Sequence, residues 1–87
     1  MDDLQSRFEQ AAAEVQGIAT RPSNEVLLKL YALYKQSTAG DVSGKRPGIT
    51  NLAGRAKYDA WQGVKGMPRA EAMEAYIGLV DELKAAG

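Results

Sequence analysis

The chain has 87 residues, with 11 Lys and Arg against 11 Asp and Glu, and it contains neither Cys nor His. The length predicts one domain, residues 1–87, whose small core favours a groove between helices over an internal cavity. Zero net charge removes the overall field that broad nucleic-acid or anionic-membrane binding uses. The missing residue types exclude disulfides, thiolate chemistry and the commonest general base. No apolar stretch approaches the length of a membrane span, so we expect a monomeric cytoplasmic protein without nucleic-acid binding or stable membrane insertion.

The first predicted helix extends over about residues 3–18. Pro22 cannot continue a helix and biases Arg21 away from helical backbone angles, so the chain should break there. The apolar residues of this helix recur at helical spacing, with polar residues on the other side; they are Leu4, Phe8, Ala11, Ala12 and Val15.

The second predicted helix covers about residues 24–38, with Ser23 or Asn24 as its N-cap. Its apolar residues form two faces. A helix that is apolar on two sides must be covered on both, so the second face either packs on other helices or lines a ligand groove. The first face holds Val26, Leu30 and Leu33, and the second holds Leu27, Leu28, Tyr31 and Tyr34, with Lys35 beside them.

Residues 39–53 are rich in Gly, Pro and Asn and predict a long loop, which is often functional in so small a domain. A third helix should cover about residues 54–64, with Gly66 as a glycine that ends it. A fourth should follow to about Ala85, with Pro68 in its first position. The predicted class is therefore all-α, a four-helix bundle.

The spacing of Tyr31, Tyr34 and Lys35 places two phenol rings and an ammonium on one helical surface, with Leu27 and Leu28 one turn below. A ligand with a nucleotide head and an apolar tail needs such groups. The alternative is that the aromatic residues belong to the core and that the lysines are solvent-exposed.

A basic cluster lies in the loop and the third helix, with Tyr58 and Trp61 interleaved. Because the whole chain is neutral, two or three cations suit one phosphorylated small molecule better than a nucleic acid. Carboxylates are plentiful, but none pairs with a His or with a second carboxylate in an apolar setting. The cluster consists of Lys45, Arg46, Arg55 and Lys57.

These residues together resemble the acyl-CoA-binding protein family over nearly the whole chain. Five blocks occur in the family's order and spacing: YALYKQST at 31–38, GDV at 40–42, RPG at 46–48, AKYDAW at 56–61 and AMEAYI at 72–77. The resemblance implies an up-down-down-up four-helix bundle that binds long-chain acyl-CoA thioesters without catalysis and uses no cofactor. Residues 1–87 then form a single acyl-CoA-binding domain.

The resemblance also implies roles for individual residues. Tyr31, Lys35 and Lys57 would hold the ribose 3′-phosphate of CoA. Tyr76 would contact the adenine and ribose end, and Tyr34 would flank the ligand. The residues that match the family's acyl groove are Phe8, Ala12, Leu27 and Leu28.

The sequence departs from the family pattern in four places. Gln16 and Ala53 stand where the family often has lysines, so two cations near the CoA head are absent. Tyr58 replaces a frequent Trp, and Met67-Pro68 replaces the usual Thr-Ser helix cap.

Three hypotheses follow, and the leading one is an acyl-CoA carrier and buffer. The alternative is a helical protein-interaction module that takes a partner helix on the Leu27, Leu28, Tyr31 and Tyr34 face. An enzyme that acts on acyl-CoA is disfavoured because the usual catalytic groups are missing.

Overall fold

Four α-helices and one short 3₁₀ turn make up the regular structure. The computed structural model describes residues 3–86; Met1, Asp2 and Gly87 of the predicted domain lie outside this range. The elements are α1 (Leu4–Glu14), the 3₁₀ turn (Val15–Gly17), α2 (Asn24–Thr38), α3 (Leu52–Gln62) and α4 (Arg69–Ala86). No strand occurs in residues 3–86, so the all-α four-helix prediction is confirmed.

Side-chain caps fix where the first three helices begin. Asp3 Oδ1 accepts a hydrogen bond from the Ser6 amide at 2.8 Å. Ser23 Oγ accepts one from Val26 at 3.3 Å, which decides between the two predicted caps of α2. Asn51 Oδ1 accepts one from Gly54 at 3.0 Å. Each bond satisfies a donor that the first helical turn leaves without a partner.

Two predicted helix boundaries were wrong. The first helix was predicted to residue 18, but its α-helical part ends at Glu14 and tightens into the 3₁₀ turn. The third helix was predicted to begin at Gly54, but it begins at Leu52 because Asn51 caps it.

The predictions for Gly66 and Pro68 also need correction. Residues 63–66 continue past α3 as a turn, and Gly66, at φ +90°, closes that turn rather than the helix itself. The Pro68 carbonyl accepts a 3.0 Å hydrogen bond from the Ala72 amide. Since α4 begins at Arg69, Pro68 precedes the first helical residue and does not occupy the first helical position.

The core lies where α4 packs between two other helices. α1 packs on α4, α4 also packs on α2, and α2 packs on α3. Burial on two sides explains why the apolar stripe of α4 is broad, while the acidic residues of the helix lie on its exposed side. The buried core cluster consists of Phe8, Ala11, Leu30, Leu33, Tyr76, Ile77 and Val80.

The long loop between α2 and α3 is fastened to α3 by side chains. Trp61 Nε1 donates to the Gly40 carbonyl at 2.8 Å. Tyr58 Oη donates to the carbonyl of Gly44 at 3.1 Å. Arg46 donates to Asp59 through Nε and Nη2, each at 2.7 Å, as a two-pronged ion pair. The loop therefore has a defined course along α3.

Within residues 3–86, no helix combines the length and the hydropathy that a bilayer span requires. The same residues hold no group of three or more acidic side chains arranged to bind a metal ion.

Candidate functional site

An aromatic cluster joins α1, α2 and α4. The Phe8 ring stacks on Tyr34 at 5.6 Å between centroids and meets Tyr76 edge-on at 5.1 Å. Tyr76 is buried, and burial, followed by the neighbouring Tyr34, raises the pKa of Tyr76 above its ordinary value of 10.0. Tyr34 is 42% exposed. The cluster thus has a buried base and an open edge, and the raised pKa keeps the Tyr76 phenol neutral at physiological pH.

The open edge of this cluster lines a groove of about 420 Å³, which we name the tyrosine groove. The groove lies between the end of α1, the 3₁₀ turn, the start of α2 and the middle of α4. Most of its lining is apolar or aromatic, so it suits a hydrophobic chain. Its residues are Ala12, Val15, Gln16, Pro22, Leu27, Leu30, Tyr31, Tyr34 and Tyr76.

A second groove of about 400 Å³, the lysine groove, lies between the start of α2 and the first half of α3. It shares Leu27 with the tyrosine groove, so the two adjoin. Lys57 supplies a cation to its wall, and Arg21 supplies another. The remaining residues are Asn24, Leu28, Ala53 and Ala56. The adjoining grooves therefore offer apolar surface at one end and positive charge at the other.

Two lysines lie over aromatic rings beside the grooves. Lys57 Nζ is 5.7 Å from the ring centroid of Tyr31, so a contact across two helices joins both grooves. Lys35 Nζ is 5.0 Å from the centroid of Trp61, whose position is fixed by its bond to Gly40. A ring face orients an ammonium without neutralising it. Among residues 3–86, neither lysine forms a salt bridge, so both keep their charge for an anion.

Arg46 differs from these lysines, although it belongs to the predicted basic cluster. Its hydrogen bonds to Asp59 raise the pKa of the Arg46 guanidinium and lower the pKa of the Asp59 carboxyl. The ion pair compensates the charge of Arg46. The basic cluster therefore has fewer available cations than the sequence indicated.

The structure brings most of the predicted residues together, with two exceptions. Phe8 is buried beneath Tyr34 and Tyr76 and does not line either groove. Lys35 lies on α2 one turn from Tyr31, as the spacing predicted, but it lines neither groove, and its Nζ lies over the Trp61 ring. The others line the tyrosine groove (Ala12, Gln16, Leu27, Tyr31, Tyr34, Tyr76) or the lysine groove (Leu27, Leu28, Ala53, Lys57).

Sequence reasoning missed Arg21, Asn24 and Pro22 as lining residues. The pattern around them predicted only the break between two helices. Arg21 is a cation that lies just before α2, the helix with two apolar faces. That neighbourhood was the signal in the sequence for a role in the site.

The fold and these grooves define a small all-α bundle with an open surface groove, an architecture typical of a binding protein. Comparison with known proteins identifies the group to which it belongs. The family model described as acyl CoA binding protein matches residues 5–80, and the chain belongs to this family.

Individual relatives agree with this assignment. The acyl-CoA-binding protein homolog 1 of Caenorhabditis elegans is 50% identical over 76 residues, which are 87% of this chain and 88% of the relative. The acyl-CoA-binding protein of Saccharomyces cerevisiae is 47% identical over 76 residues, 87% of each chain. The crystal structure of Oryza sativa acyl-CoA-binding protein 2 superposes with a TM-score of 0.92 at 45% identity, covering 97% of this chain and 93% of that one.

Proposed function

We propose that this protein binds long-chain fatty acyl-CoA thioesters and carries them without transforming them. One observation carries the proposal: two adjoining grooves share Leu27, and Lys57 lies over the Tyr31 ring at their junction. The apolar tyrosine groove thereby adjoins a cationic side chain that can bind an anion. The names of the family and of the relatives support the same ligand.

The acyl chain lies along the apolar walls in this proposal, in contact with Ala12, Leu27 and Leu28. Phe8 supports the chain from below by fixing the Tyr34 ring. Burying one methylene contributes about 0.8 kcal/mol, so a sixteen-carbon chain contributes roughly 10 kcal/mol before ordering costs. The tail therefore supplies most of the affinity.

The CoA head meets the cationic side. Lys57 and Lys35 hold the 3′-phosphate with the Tyr31 hydroxyl, and each charge-assisted hydrogen bond contributes about 1.5–3 kcal/mol. The adenine and ribose end of the head reaches from the lysines into the tyrosine groove, where the Tyr76 phenol donates a hydrogen bond to it. These polar contacts decide specificity against free fatty acids, which carry no phosphate.

Of the four departures from the family pattern, the two that replace lysines lie in the grooves. Gln16 lines the tyrosine groove and Ala53 lines the lysine groove. A lysine at either position would add a cation beside the ligand. The neutral side chains leave Lys35, Lys57 and Arg21 to meet the phosphates.

A carrier role rather than catalysis is supported by the side chains at the site. The chain contains no His or Cys, and no pair of carboxylates lines either groove. We further propose that the protein acts as a cytoplasmic monomer without a cofactor or a nucleic-acid partner.

Calorimetric titration with palmitoyl-CoA, palmitate and free CoA at one salt concentration tests the proposal. One-to-one binding of the thioester below micromolar concentration, with both fragments far weaker, is the expected result, because each fragment fills only one part of the site. Absence of thioester binding would overturn the proposal and favour a protein-interaction module.

A further inference from the structure

A third groove, of about 300 Å³, lies between α2, the turn that follows α3, and α4. It shares no lining residue with the tyrosine groove or the lysine groove, so a molecule bound in it leaves both of them open. The groove follows α4 for about two helical turns, from Ala75 to Glu82. We name it the glycine groove, and its apolar lining consists of Leu33, Val64, Met67, Ala75, Gly78 and Leu79.

Gly78 forms part of the wall at a position where the fold itself does not require glycine. It lies inside α4, where glycine is less favourable than alanine because it loses more backbone freedom on folding. Its φ is not positive, and a Cβ added to it would meet no neighbouring atom within 4 Å. Neither backbone geometry nor packing within the chain therefore accounts for this residue. On an exposed helix face, a glycine allows the backbone of another molecule to approach closely.

The α4 side of the glycine groove is negatively charged. Glu82 lines the groove, and Glu71 lies on the same face of α4 about 16 Å earlier along the helix axis. Among residues 3–86, neither carboxylate forms a salt bridge. Helix α4 carries four carboxylates against two cations, and one of these cations, Lys84, is paired with Glu14. Although Lys29 supplies a cation on the opposite wall, the charge along α4 complements a basic partner.

We propose that the glycine groove docks an amphipathic helix of a partner protein, one that carries aliphatic side chains flanked by lysines or arginines. The aliphatic side chains pack over Leu33 and Leu79, and the backbone of the partner helix approaches α4 at Gly78. Basic side chains three turns apart on that helix meet Glu71 and Glu82.

A helix suits this groove better than an extended segment does. The two long walls of the groove belong to α2 and α4, whose backbone groups are hydrogen-bonded within each helix. An extended segment would find no backbone partners along these walls, whereas a helix satisfies its own backbone groups. The docking surface does not depend on the proposed function, because its residues lie outside both ligand grooves.

The test is a titration of ¹⁵N-labelled protein with a synthetic helix, followed by NMR. The probe is an alanine-based peptide that carries two leucines one turn apart and, on the same face, lysines three turns apart. A matched peptide has glutamates in place of the lysines. We expect the lysine peptide to shift the amides of Leu33, Ala75 and Gly78 while those of Ala12 and Lys57 stay in place. The glutamate peptide should bind at least about tenfold more weakly, and added salt should reduce this difference.

Gly78→Gln tests the close approach at the groove wall. The variant should keep the fold, because glutamine is the better helix former and the added side chain meets no neighbour at Cβ. It should lose at least about tenfold in affinity for the lysine peptide. Its matched control is Ala13→Gln, on the exposed side of α1, which should bind the peptide like the parent.

A second pair of variants tests the charges. Glu71→Gln/Glu82→Gln should weaken binding of the lysine peptide severalfold. The control Glu9→Gln/Asp81→Asn removes the same number of charges from exposed positions that do not line the glycine groove and should bind more tightly than the first variant.

Three results would overturn the proposal: no shifts at the glycine groove in the parent, equal affinity for the two peptides, or unchanged affinity in Gly78→Gln. Concentration-dependent shifts of the same amides without peptide would assign the groove to a second copy of the chain and would also overturn it. Palmitoyl-CoA titration of Gly78→Gln should give the affinity of the parent. This separate measurement distinguishes failure of the docking surface from failure of the proposed function.

Discussion

The Gln36 side chain donates a 2.8 Å hydrogen bond from Nε2 to Asp41 Oδ1, and the same oxygen accepts the Gly66 amide at 2.8 Å. Gln36 Nε2 also donates to the Met67 carbonyl at 2.9 Å. One buried amide and one carboxylate therefore connect the end of α2, the start of the long loop and the turn between α3 and α4. This connection holds the loop that leads into the lysine side of the site.

Replacing Gln36 with Met should destabilise the fold while conserving side-chain volume. The variant loses two hydrogen bonds and leaves Asp41 and the Met67 carbonyl with fewer partners, which costs about 1–3 kcal/mol in the free energy of unfolding. Urea denaturation measures this cost. Gln62→Met, at the exposed end of α3, is the control and should stay close to the parent. Equal stability of Gln36→Met and the parent would show that the connection contributes nothing.

The Asp41 carboxyl should make the free energy of unfolding depend on pH. The hydrogen bond from the Gly66 amide, followed by the bond from Gln36, lowers the pKa of Asp41 below its ordinary value of 3.8. The stabilisation is therefore present above that value and is lost as pH falls through the lowered pKa. Asp41→Asn should be less stable than the parent at pH 7, and the difference should shrink as pH falls below about 4. Denaturation at several pH values measures it, and a difference that stays constant or widens toward low pH would contradict the assignment.

Tyr76→Phe should separate the core role of Tyr76 from its proposed role in binding. The ring keeps its edge-on contact with Phe8 at 5.1 Å, so the thermal midpoint should change little. The loss of one hydroxyl hydrogen bond should weaken palmitoyl-CoA binding by about 0.5–1.5 kcal/mol. Calorimetry and thermal denaturation on one preparation provide both values. Tyr76→Ala, which removes the buried ring, should instead cost about 3–5 kcal/mol of stability. Unchanged affinity of Tyr76→Phe would show that the Tyr76 hydroxyl does not contact the ligand.

Lys57→Ala and Lys35→Ala should each lower affinity for palmitoyl-CoA roughly 10- to 100-fold, since each removes a charge-assisted hydrogen bond to phosphate. Folding stability should hardly change, because neither lysine forms a salt bridge within residues 3–86. The control is Lys29→Ala, an exposed lysine of α2 that lies on the side of Leu33 and Leu79 rather than in the grooves. If the control loses as much affinity as the two variants, the effect is one of general charge and the assigned contacts are wrong.

Local patterns predicted the helices well where caps and apolar spacing agreed, as they did for α2 with its Ser23 cap. They failed at the end of α1, because Val15 continues the apolar spacing whether the last turn is α-helical or 3₁₀. They also failed at the start of α3, because the exposed Leu52 does not belong to the apolar stripe.

The sequence predicted which residues lie at the site but not which of them contact each other. Helical spacing placed Tyr31 and Tyr34 on one surface, and both line the tyrosine groove. The contact of Lys57 with Tyr31 and that of Lys35 with Trp61 join different helices. No spacing rule relates residues so far apart in the chain. The hydrogen bond between Gln36 and the Met67 carbonyl could not be predicted for the same reason.

The central claim is that the two grooves joined at Leu27 form one ligand site. The most direct test is a titration of ¹⁵N-labelled protein with palmitoyl-CoA, followed by NMR. The amides of Ala12 and Val15 in the tyrosine groove should shift together with those of Ala53 and Lys57 in the lysine groove, and all should saturate at one equivalent. The amides of Ala75 and Glu82, on the other side of α4, should stay in place. Shifts confined to one groove, or a second groove that responds only to a second equivalent, would contradict the claim.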